Sequence, residues 1–128
     1  MVKKDIDWSN IGFGYYQTDE RYVSNFKNGA WDDGVMTKDA NVVMNECAGV
    51  LQYAQTCFEG LKAYTTEHGK IVTFRPDLNA SRMANTAKRL EMPPFPEDRF
   101  VEAVEKVVAA NAAYVPPYGS GATLYVRP

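Results

Sequence analysis

The sequence predicts an α+β domain: a largely antiparallel sheet with two helices packed on one face. Three observations point there. Short alternating runs bounded by turn residues occupy the first half and return at the end. Two stretches with apolar residues three and four apart lie between them. The resulting order of strands, hairpin, two helices and strand suits helices laid over an antiparallel sheet. A chain of 128 residues fits one domain, and it shows no internal repeat or low-complexity tract.

The elements follow in order. Arg21 to Phe26 alternates and reads as a strand. Asn28-Gly29 and Asp33-Gly34 are turn signals on either side of Ala30-Trp31, so a strand, a turn and a second short strand are expected. Residues 41–58 are ambiguous, and Tyr53 to Phe58 fits either a short helix or a loop. Gly60 to Tyr64 and Lys70 to Phe74 flank Glu67-His68-Gly69 and read as a β-hairpin. The first helix places Met83, Ala87 and Leu90 on one stripe beside Ala80 and Ala84, with Asp77 or Asn79 as N-cap and Pro93-Pro94 as its stop. The second runs from about Pro96 to Ala113. Pro96 suits its first turn, Glu97 and Asp98 suit the positive end of its dipole, and Phe100, Val104, Val107 and Val108 form its buried stripe. Val115 to Gly119 is a linker, and a last strand starts near Ala122.

Composition narrows the function. Hydrophobic residues at 45% and charged ones at 23% are those of a soluble globular protein. A net charge of −2 leaves no basic excess for nucleic-acid phosphates. No apolar run reaches membrane-spanning length. The N-terminus has two lysines but no apolar stretch after them, so no secretory signal is read there, and a cytoplasmic protein is expected. Cys47 and Cys57 lack metal-ligand spacing and read as free thiols in a reducing compartment. His68 lies in turn chemistry and reads as solvated. No metal site is expected.

No catalytic constellation emerges from the residue pattern: neither a phosphate-binding glycine loop nor a nucleophile triad is present. Arginines at element ends stand out instead. Arg82 falls near the start of a helix leaving a strand, where an anion could sit, although a solvated surface arginine is the commoner case for any single arginine. Tyr125 and Arg127 are two apart on a strand and project together, either toward a carboxylate substrate or into water. Lys62 is the one lysine flanked by apolar residues on a strand, and an outward, solvated position is expected for it.

Three segments together resemble the branched-chain amino acid aminotransferases. They are Leu51 to Tyr64, then Phe74 to Met83 with Ala87, Arg89-Leu90 and Met92-Pro93, and Leu124 to Pro128. Gly12-Phe13-Gly14 and Trp31 to Gly34 agree as well, so the resemblance spans nearly the whole chain in the family's order. It implies a pyridoxal-phosphate enzyme of fold type IV, the D-amino-acid transaminase-like fold. Such enzymes have a small N-terminal domain, a larger C-terminal domain and a homodimeric assembly, and they act on amino acids and 2-oxo acids. On this reading residues 1–128 are the small domain. The catalytic Schiff-base lysine lies beyond residue 128, which explains a chain that stops inside a strand. The piece alone is expected to be inactive, to hold pyridoxal 5′-phosphate weakly, and to self-associate through an unpaired strand edge.

Carried over position by position, the resemblance makes Arg82 the arginine that holds the cofactor phosphate. Phe13, Phe58 and Tyr125 become the aromatic lining of the substrate pocket, with core packing as the alternative for the two phenylalanines. Tyr53 reaches into the partner's active site, and Arg127 receives the distal carboxylate of glutamate. Aromatic walls suit leucine, isoleucine and valine, while tyrosine hydroxyls and an arginine suit glutamate in the same place. Relatives of the same fold, D-amino-acid transaminases and aminodeoxychorismate lyases, commonly carry histidine where Asn79 stands, which favours the branched-chain group. A non-catalytic interaction domain is the remaining alternative.

Overall fold

The computed structural model describes residues 2–128, and it has the expected α+β architecture. Its first part is a broken antiparallel ribbon. Strand β1 (Arg21–Val23) pairs with β4 (Val35–Thr37), and β2 (Phe26–Lys27) pairs with β3 (Ala30–Trp31). Asn28 and Gly29, at φ 52° and 80°, make the tight turn between β2 and β3, since both central residues of such a turn need positive φ. Asp33-Gly34 is not a second reversal. It sits in a break in the ribbon, where the Asp32 carboxylate accepts hydrogen bonds from Ser24 Oγ, Asn25 N and Gly34 N at 2.8–3.1 Å.

The ambiguous stretch holds a one-turn helix, α1 (Gly49–Tyr53), closed by Ala54 in the left-handed region; residues 54–60 continue without regular structure. Strand β5 (Leu61–Thr65) and β6 (Ile71–Thr73) form the expected hairpin. The last strand, β7 (Leu124–Val126), pairs antiparallel with the other edge of β5, Leu61 opposite Val126 and Ala63 opposite Leu124. The order β6-β5-β7 makes β5 central and leaves β7 at an edge.

Helices α2 (Pro76–Arg89) and α3 (Glu97–Ala110) cover one face of this sheet. Alternation sends Leu61 and Ala63 of β5 and Val126 of β7 inward against Ala80 of α2 and Phe100, Val104 and Val108 of α3, with Val115 closing the cluster. Burying these side chains supplies the main stabilisation, roughly 1.5–3 kcal/mol for each large one. Asn111, 1% exposed, fastens the N-terminal arm to α3: its Oδ1 accepts from Asp19 N and Glu20 N, and its Nδ2 donates to Glu20 O and Val107 O.

Several local expectations need correction. Neither Asp77 nor Asn79 caps α2. The cap position is Arg75, left-handed at φ 47°, with Pro76 opening the helix where its missing N–H costs nothing. The helix ends before the proline pair: Met92 N donates to Ala87 O and Glu91 N to Lys88 O around Glu91 at φ 54°, a Schellman closure with glutamate in place of glycine. Leu90 therefore lies past the last turn and is partly exposed rather than on the buried stripe. Pro96 is the cap of α3, which ends at Ala110 and passes into a 3₁₀ turn over Ala112–Tyr114. Val107 is only half-buried.

Candidate functional site

The face of the sheet turned away from the helices carries Lys62, Tyr64, Val72 and Tyr125, all exposed. Two clusters meet at the end of β5 beside this face. One is polar. Glu59, immediately before β5, is 4% exposed, and four donors hold its carboxylate: Arg82 Nε at 2.5 Å, Arg82 Nη2 at 2.7 Å, Asn79 Nδ2 at 2.8 Å and Gly60 N at 3.2 Å. Asn79 and Arg82 are three apart on α2 and so share a helix face. Asn79 also donates to Gly60 O, so α2 grips the backbone as well as the side chain at this point. The hydrogen bonds from Arg82 outweigh the effect of burial and hold the Glu59 carboxyl down at about 2. The same pairing raises the Arg82 guanidinium above its ordinary value. Cys57 is pushed up, first by burial and then by the Glu59 charge.

The other cluster is aromatic. The rings of Phe13 and Tyr125 lie 6.5 Å apart, tilted by 43°. Tyr125 in turn lies over Gly60, where an added Cβ would come within 2.6 Å of its hydroxyl. Gly60 thus permits the ring to lie close against the strand. The backbone N–H of Glu59 donates to Pro128 O at 3.2 Å, tying the start of β5 to the end of β7.

Arg82, Tyr125 and Phe13 thus gather around Glu59-Gly60. Phe58 is 70% exposed and directly precedes Glu59; Phe13 is 99% exposed. Neither is a core residue, so the packing alternative for these two phenylalanines does not hold. Arg82 is the seventh residue of α2, two turns in, so a role based on the helix N-terminus does not apply to it. Arg127 is exposed, just past β7. With Tyr125 it lines a separate cavity of about 410 Å³ between β1, α3 and β7, walled mainly by apolar groups such as Phe95, Phe100 and Val104. Arg82, Phe13 and Phe58 do not line that cavity. Tyr53, on α1, is exposed and joins neither cluster.

Sequence reasoning missed Glu59. A carboxylate wedged between Phe58 and Gly60 at the start of an apolar strand was the available sign, because a buried acid must find a partner. Among the described residues no group of three or more His, Cys, Asp or Glu could hold a metal. Cys47 and Cys57 are free, His68 is exposed beside Glu67, and among the described residues no helix is long and apolar enough to cross a membrane.

In sequence the chain is similar to curated aminotransferases. The chain is 51% identical over 125 residues to a branched-chain-amino-acid aminotransferase of Haemophilus influenzae, matching 98% of this chain and 36% of that enzyme. It is 43% identical to the enzyme of the same name from Helicobacter pylori, with 98% and 37% covered. A methionine aminotransferase of Arabidopsis thaliana is also 43% identical, with 97% and 35% covered. No family model matches. Over the portion it spans, the chain belongs with the branched-chain-amino-acid aminotransferases, and it spans about a third of their length.

Proposed function

We propose that this chain is the small N-terminal domain of a pyridoxal-phosphate-dependent aminotransferase that moves an amino group between leucine, isoleucine or valine and 2-oxoglutarate. The observation that supports it best is that Arg82, bonded to Glu59, and Tyr125, packed over Gly60 with Phe13 beside it, flank adjacent residues just before β5, in a chain 51% identical to a named member of the family.

The donor set suits a phosphate. Glu59 occupies the Nε–Nη2 edge of Arg82, which leaves Nη1 and one Nη2 hydrogen of the five guanidinium donors for an anion. When bound, pyridoxal phosphate supplies the electron sink that amino-group transfer needs. The chain's own residues bind and orient. Arg82 holds the phosphate through charge-assisted hydrogen bonds. Phe13, Phe58 and Tyr125 offer apolar contact to a branched side chain and keep water from it. Arg127, with the Tyr125 hydroxyl, receives the second carboxylate of glutamate. Tyr53 serves the partner's site in a homodimer, a role supported by its exposure and by that of neighbouring Leu51, at 84% and 58%. The lysine that captures the cofactor belongs to the remainder of the enzyme, so residues 1–128 alone are inactive. A reducing compartment, the cytoplasm, suits two free thiols.

The test is an assay of the full-length protein with 2-oxoglutarate and L-leucine, L-isoleucine, L-valine, L-methionine or D-alanine in turn. Turnover of the branched L-amino acids with added pyridoxal 5′-phosphate is expected, with at most slow turnover of D-alanine. Absence of any cofactor-dependent turnover, or a preference for D-alanine or methionine, overturns the reading.

A further inference from the structure

We propose that Glu59 is the positioning residue for Arg82: it fixes which edge of the guanidinium faces outward for a phosphate, with Asn79 bracing the carboxylate. The role of the phosphate rests on the function proposed above; the fixing of Arg82 does not.

The geometry carries this. Arg82 sits on an exposed face of α2, and its side chain is 66% exposed. An arginine so placed would ordinarily sample many rotamers, at a cost of about 2 kcal/mol in side-chain entropy when ordered. Here the ordering is done before any ligand arrives. The Glu59 carboxylate is 4% exposed and immobile, and it grips the Nε–Nη2 edge with two hydrogen bonds of 2.5 and 2.7 Å. Asn79 Nδ2 and Gly60 N complete its set of donors, so the carboxylate has no reason to rotate away. Only the Nη1 side of Arg82 is left open. Elsewhere in the chain Arg75 makes a similar two-point contact with Asp77, but both partners there are more than half exposed and water competes for each bond.

A second consequence concerns charge. Glu59 cancels the formal charge of Arg82, so the pair offers an anion directed donors rather than net positive charge. The arrangement selects an anion that fits the open edge and that receives further donors from elsewhere, and it gives little affinity to small anions in general.

The experiment uses the 128-residue chain and the full-length protein. In the chain, NMR of arginine side chains reads the Nε–H of each residue, with the Arg82 signal assigned by its loss in Arg82→Lys. The expected result in the unsubstituted chain is hydrogen exchange at Arg82 Nε–H about tenfold slower than at Arg75 Nε–H. Glu59→Gln should erase that difference while the backbone amides of α2 exchange as before. Equal exchange at Arg82 and Arg75 in the unsubstituted chain overturns the proposal, and this comparison does not depend on whether the Glu59→Gln chain folds. So does a Glu59→Gln chain that keeps the slow Arg82 signal. In the full-length protein, Glu59→Gln should raise the dissociation constant of pyridoxal 5′-phosphate about tenfold, as loss of one charged hydrogen bond implies, with the melting temperature of the cofactor-free form lowered only slightly. Slow Arg82 exchange together with cofactor affinity unaffected by Glu59→Gln overturns the positioning role while leaving the proposed function standing. A full-length protein that binds no pyridoxal 5′-phosphate at all removes the proposed function and, with it, the phosphate role of the pair.

Discussion

The two faces of the β6-β5-β7 sheet are built from alternate residues of the same strands, yet they obey different rules. The inner face, Leu61, Ala63 and Val126, is buried under two helices and packs as a core. The outer face, Lys62, Tyr64, Val72 and Tyr125, is exposed, and Phe13 and Phe58 stand nearby with most of their rings in solvent. A stable domain has no energetic reason to present so many aromatics to water, and clustered exposure of this kind marks a surface meant to be covered. The inner face makes the fold; the outer face leaves its side chains open to solvent. Glu59 and Arg82 sit at the seam, with the carboxylate buried and the guanidinium facing out.

The largest effect should come from the inner face. Phe100 is 3% exposed and central to the cluster that joins α3 to the sheet. Phe100→Ala should destabilise the chain by about 3–5 kcal/mol, a large part of the stability of a domain this size. Urea titration followed by circular dichroism measures it. A loss below about 1 kcal/mol would show that the helical layer is not the chief source of stability.

The seam should come next, and its effect depends on pH. Arg82→Ala leaves the Glu59 charge buried with only Asn79 and Gly60 N for partners, so it should destabilise the chain, though less than Phe100→Ala because Arg82 itself faces water. The folded-state Glu59 carboxyl titrates at about 2, below its ordinary value of 4.5. A depressed carboxyl contributes stability that is complete above the unfolded value and declines as pH falls from there toward the folded one. The unsubstituted chain should therefore lose this contribution progressively from pH 4.5 down to about 2. Arg82→Ala should lose much less over that interval, because the pairing that depresses Glu59 has gone. Denaturant midpoints from pH 7 to 2.5 check this; parallel slopes for the two proteins would contradict it.

The difference between faces was only half visible in the sequence. Helical spacing gave the apolar stripes that cover the inner face, since the positions of Ala80, Phe100 and Val104 follow from period alone. The Asn28-Gly29 turn was equally local. The misses have a common cause in tertiary or backbone geometry that no period encodes. Arg75 in the left-handed region and the glutamate closure at Glu91 replaced the expected cap and the expected proline stop. Gly49–Tyr53 carries no buried residue, so it had no apolar stripe to betray a helix. Glu59 escaped because its partners lie twenty and twenty-three residues further on. The contact between Phe13 and Tyr125 joins residues more than a hundred apart, and only the resemblance to a family suggested that they belong together.

The outer face should yield the smallest change in stability, and that is what makes it informative. Phe13→Ala and Phe58→Ala remove large apolar side chains that are 99% and 70% exposed, so folding buries little of either. Each should shift stability by less than about 0.5 kcal/mol, an order of magnitude below Phe100→Ala, although all three delete the same benzyl ring. If the outer face is a substrate wall, the same two changes in the full-length protein should raise the KM for leucine several-fold, since each buried methylene contact is worth about 0.8 kcal/mol, and leave its melting temperature unchanged. A loss of stability comparable to that of Phe100→Ala would return both rings to the core and erase the distinction between the faces. An unchanged KM alongside unchanged stability would keep the faces distinct and move the wall elsewhere on the exposed side.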